Sequence, residues 1–149
     1  MTYLVFSQEP QDRPSHERLA GNAVRFFATT LELVEQGEAW VSVRLVCSRP
    51  ALSGEFRIAS RATTKDDLSN ARDAEARGHA GGMALLAERC KQVWAIDAAG
   101  SDPPSEAAYL TLAAICASVA LGPVMPPDFG TLFGVRGSIE RRDKAMQSA

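Results

Sequence analysis

The sequence predicts an α+β two-layer sandwich: a ferredoxin-like (split βαβ) core of order β-α-β-β-α-β, extended by an apolar C-terminal helix. Three observations carry that expectation. Two runs that alternate with a period of two, 39–47 and 55–60, flank a loop containing Pro50 and Gly54, which reads as a hairpin. Apolar residues spaced three and four apart follow residue 16, and a stripe of small residues follows residue 64, each suiting one face of a helix. The stretch 107–121 carries no charge at all, as a fully buried helix would.

Taken in order, Tyr3 to Ser7 is short, aromatic and β-branched and forms the first strand. Ser15 caps a first helix expected from His16 to Gln36, whose positions Leu19, Ala23, Phe26, Phe27, Thr30, Leu31 and Val34 make one buried stripe, with Gly37 as its stop. In the hairpin, Val41, Val43, Leu45 and Cys47 share one face with Phe56 and Ile58. Trp40, Ser42, Arg44, Glu55 and Arg57 share the other.

Thr64 ahead of Asp66 and Asp67 opens a second helix, kinked where Gly78, Gly81 and Gly82 lower helix propensity. Val93 to Ile96 is a buried fourth strand. Asp102 with Pro103 and Pro104 then starts a third helix that Gly122-Pro123 ends. Its uncharged run of about 15 residues falls short of the roughly 20 a membrane span needs, so it is expected to cover the open sheet face or to lie between subunits. Residues 140–144 suggest a last short helix.

One domain spans 1–149, with a core to 121 and an apolar, turn-rich tail over 122–149. A net charge of −2 lacks the excess that draws phosphate backbones or anionic lipid, so neither nucleic acid nor membrane is an expected partner. Tyr3, Trp40, Arg44 and Arg57 could form a base-stacking platform on an open sheet, but no aromatic-rich recognition pattern accompanies them. The first residues lack the basic region of a signal peptide. Cys47, Cys90 and Cys116 are widely spaced and read as buried thiols, which together point to a cytoplasmic chain.

Chemical motifs are scarce. The two histidines, His16 and His79, form no metal or triad signature. His79 would need Glu75 or Asp73 beside it to act as a base. Asp97 and Asp102 flank a strand exit but lack a third ligand for magnesium, and no cofactor is implied. The glycines of 78–82 lack the strand and lysine of a phosphate loop.

The expectation is therefore a non-catalytic protein–protein interaction or assembly module, self-associating or bound in a larger complex. Its partner-binding residues would be Trp40, Arg44 and Arg57 on the sheet and Met125, Phe129, Leu132 and Phe133 in the tail, which are too many large apolar groups to leave in water. The alternative is a small-molecule-binding protein or enzyme with a pocket between the sheet and the third helix, using Arg44, Arg57, His79 or Asp97.

Overall fold

Where the first helix stops decides the architecture. In the computed structural model, which describes residues 1–147, β1 (Tyr3–Ser7) leads to α1 (His16–Phe27), which ends nine residues before the expected Gln36. Ala28 adopts a left-handed conformation with φ 48°, and its N–H bonds to the Ala23 carbonyl. The following residues, Thr29–Gln36, form strand β2. Thr29 and Thr30 are β-branched, and Leu31 and Leu33 alternate with glutamates, so the period-two pattern outweighs the helical spacing that Thr30, Leu31 and Val34 also satisfy. The expected buried stripe is corrected accordingly: Leu31 enters the core, whereas Phe26 and Val34 face solvent.

Strands β3 (Trp40–Ser48) and β4 (Ala51–Ala62) form a longer hairpin than expected. Ser48 pairs with Ala51 across a turn at Arg49 and a cis Pro50, and residues 51–54 are paired strand rather than loop. The expected kinked helix is two helices, α2 (Lys65–Gly78) and α3 (Met83–Glu88), because His79 turns left-handed with φ 53° and closes α2. A fifth strand, β5 (Gln92–Ala98), precedes α4 (Glu106–Ala120). Asp102 is not the cap of that helix. Ser105 is, its hydroxyl accepting from the Ala108 N–H at 3.2 Å, so Pro103 and Pro104 precede the helix instead of opening it. A two-residue strand β6 (Val124–Met125) and helix α5 (Val135–Gln147) complete the described chain; Ser148 and Ala149, the end of the expected tail, lie outside the described residues.

All six strands form one antiparallel sheet of order β2-β3-β4-β5-β1-β6. The class is α+β, but the strand order is not the ferredoxin-like one, and the reason is β2. With a two-stranded hairpin, the strands before and after the second helix point the same way and need the first strand between them. An additional strand reverses the heading of β4, so β5 pairs with it directly and β1 is displaced towards the edge. Ala62 pairs with Gln92, and the Thr63 N–H bonds to the Lys91 carbonyl at 2.9 Å, so α2 and α3 form an excursion that leaves and re-enters the sheet at one end.

Helices cover both faces, which replaces the expected two layers by three. On one face, Val43, Phe56, Ile58, Trp94 and Ile96 pack against α1 and α4. On the other, Leu4, Phe6 and Val93 pack against Ala71 and Ala74 of α2 and Ala84 and Ala87 of α3. Every residue of α4 except Glu106 and Ser118 is buried, between the sheet, α1 and α5. That burial explains the absence of charge, since an unpaired charge there would cost several kcal/mol (order of magnitude). On the other face of β3 and β4, Arg44 and Arg57 are exposed and Trp40 is half-buried.

Candidate functional site

The sheet residues expected to bind a partner form a self-compensated polar face. The Arg57 guanidinium lies 4.0 Å from the Trp40 ring centroid. Arg44 donates to Glu55 at 2.9 Å and faces Glu32 at 3.5 Å. Asp97 sits opposite Arg57 in register and accepts a hydrogen bond from the Thr2 hydroxyl. Arg44 and Glu55 also border a cleft of about 430 Å³ with Asp102 and Pro104.

The tail residues are used within the chain. Met125, Leu132 and Phe133 are buried in its own core and are thereby removed from a partner surface; Phe129 is half-buried against the same helices, and its carbonyl accepts from Arg77 at 3.1 Å. His79 lines a shallow hollow against α5. Glu75 does not serve it: one Glu75 carboxylate oxygen accepts from the N–H groups of Gly82 at 2.7 Å and Ala84 at 3.3 Å, capping α3. His16 bonds through Nε2 to the Leu31 carbonyl at 2.8 Å, covering part of the free edge of β2.

Among the described residues, two further concavities combine apolar walls with charged groups, and neither was legible in the sequence. The larger, about 870 Å³, runs between the end of α1 and α5. Its apolar part is Val24 (65 % exposed), Phe26 (64 % exposed), Phe27, Val135 and Ile139. Its rim carries Arg25, Arg49, Arg136 and Arg142 against one acid, Glu140. Arg136 pairs with Glu140 at 3.4 Å and Arg142 with Asp143 at 3.1 Å, and Arg25 lies 5.9 Å from the Phe26 ring centroid. Phe26, expected in the buried stripe, lies in the last turn of α1 and faces solvent.

The smaller cleft, about 460 Å³, lies between β1, the start of α4, the segment 126–131 and α5. At its base Tyr3, only 3 % exposed, stacks on Tyr109 at 5.4 Å, and Tyr109 meets Phe56 edge-on at 5.0 Å. Burial, then the charges of Glu106 and Asp128, push the Tyr3 phenol up to about 12, with Arg141 opposing. Arg141 lies over Phe133 at 4.6 Å. Among the described residues, Glu106, Asp128 and Arg141 form no ion pair with one another, although all three line this cleft.

All three thiols are free and buried, and burial raises Cys90 to about 11 and Cys116 further still, so both remain protonated core groups at neutral pH. Among the described residues no three His, Cys, Asp or Glu side chains gather where they could hold a metal ion, and no helix is long and apolar enough to cross a membrane. Compared with protein-family models, curated proteins and solved structures, the chain matches none.

Proposed function

We propose that this chain is a protein-interaction module that takes an apolar, acid-flanked helix of a different protein into the groove between α1 and α5. The observation that carries the reading is the exposure of Phe26 and Val24 beside an arginine-rich rim. Aromatic and arginine side chains are the residue types that dominate interface energetics, and a groove between two helices suits an amphipathic helix. Charge selects the occupant. A second copy related by a two-fold axis would bring the Arg25, Arg49, Arg136 and Arg142 rim against itself, whereas an acidic partner would be steered to it.

The test is a titration of the full chain, followed by amide chemical shifts, with an amphipathic helical peptide of about 15 residues bearing leucines on one face and glutamates on the other. Shifts confined to 24–28 and 135–142, weakened by salt and lost in Phe26→Asp, are expected. The Phe26→Asp fold should be intact, because substitution of an exposed side chain changes stability by only about 0.5 kcal/mol. Equal binding of the same peptide with lysines in place of glutamates, or full binding by Phe26→Asp, would overturn the proposal.

A further inference from the structure

We infer that the cleft bounded by Tyr3, Glu106, Asp128, Phe133 and Arg141 binds a small zwitterion of the amino-acid type with an apolar body. The inference is independent of the groove between α1 and α5, which lies on other residues. It starts from Tyr3. This side chain is almost wholly buried, lines the cleft, and its hydroxyl has no hydrogen-bond partner among the described residues. The hydroxyl itself is not among the fully buried unpaired atoms, so it meets solvent through the concavity, where a polar ligand group can take the place of water. Glu106, Asp128 and Arg141, all solvent-exposed, line the same concavity and form no ion pair with one another among the described residues, so charges of both signs border one place.

Structural uses account for part of this arrangement only. Glu106 suits the positive end of α4, and one Asp128 oxygen accepts the Gly130 N–H at 2.9 Å. The other Asp128 oxygen and the Glu106 carboxylate have no hydrogen-bond or ion-pair partner among the described residues and can receive an ammonium group. Arg141, braced against Phe133, can accept a carboxylate in the bidentate manner that a guanidinium allows. Leu110, Pro126 and Phe133 supply an apolar wall. The volume, about 460 Å³, lies within the range of small-molecule sites.

Calorimetric titration of the full chain with L-phenylalanine, phenethylamine and 3-phenylpropionate separates the contributions. L-Phenylalanine should bind tightest, and loss of either charged group should weaken binding about tenfold or more. Asp128→Asn should remove the preference for the ammonium and Arg141→Gln the preference for the carboxylate. Tyr3→Phe should weaken L-phenylalanine about fivefold. Phe26→Asp should leave all three affinities unchanged, which separates this site from the groove. Equal binding of the three compounds, or no saturable binding of L-phenylalanine or of L-leucine, would overturn the inference. Because Asp128 has a structural bond, Arg141→Gln decides the matter if Asp128→Asn lowers the melting temperature.

Discussion

Asp67 ties a strand to a helix through one carboxylate. It accepts two hydrogen bonds from Arg61, at 2.6 and 2.9 Å, and one from the Thr64 N–H at 2.8 Å, while the Thr64 hydroxyl accepts the Asp67 N–H at 3.1 Å. The Arg61 guanidinium, then the Thr64 bonds, hold the Asp67 carboxyl below the usual carboxylate range, against the opposing effect of its burial. Its folded-state pKa is depressed, so the stability it contributes is complete above the unfolded value of about 3.9 and is lost as pH falls below that. Asp67→Asn should cost about 1–2 kcal/mol at neutral pH by urea denaturation, mostly through the cap, since Arg61 is half exposed. It should also flatten the acid side of the stability profile. An unchanged slope below pH 4 (roughly the unfolded pKa) would show that Asp67 is not the group being titrated. The sequence made the Thr64 start of α2 legible, because a cap is local. The Arg61 pair was not, since it depends on which face of β4 each residue takes. Trp40, Arg44 and Arg57 were read onto the correct face for the opposite reason: alternation within a strand is local, but their partners Glu32 and Asp97 come from other strands.

At the scale of elements, the glycines of 78–82 are not equivalent. A Cβ on Gly78 would overlap the Thr131 side chain and lie 2.9 Å from the Thr131 Cα, whereas a Cβ on Gly81 would meet nothing within 4 Å. Gly78→Ala should therefore destabilise by about 1–3 kcal/mol despite its better helix propensity, because the 126–131 segment must move. Gly81→Ala should be neutral or slightly stabilising, by up to about 1 kcal/mol. Equal melting temperatures for the two variants would contradict the close approach of α2 to Thr131. The glycine cluster read as a kink in one helix, whereas the helix ends at Gly78 and a second begins at Met83, with Gly78 close to Thr131; composition cannot tell which glycine has which use. The uncharged run in α4 was legible because total burial excludes charge. α5 was seen only at 140–144, because Val135 and Ile139 are too few apolar residues to mark a helix that packs on α4. The largest error was α1, where Thr30, Leu31 and Val34 fit both a helix and a strand, and Ala28, rather than Gly37, supplies the stop.

For the whole molecule, that one element changed the topology and with it the site. Adding β2 turned a hairpin into a meander and placed β5 between β4 and β1, while Phe26 lies in the last turn of α1 facing solvent. The excess of apolar residues in α4 and the tail, which in the sequence suggested subunit contacts, is taken up by the sheet, α1 and α5. Val24 and Phe26 remain exposed side by side at the α1–α5 groove, under an arginine-rich rim, whereas Leu33, Val34, Val46, Leu85 and Leu121 are exposed away from it. The chain covers its own core, and in the proposed function the groove is kept for a different protein. Light scattering of the isolated chain tests it most directly. A particle of one chain, 16.0 kDa, unchanged in Phe26→Asp, is expected. A stable particle of twice that mass that dissociates in Phe26→Asp would contradict it, because the groove would then be filled by a second copy.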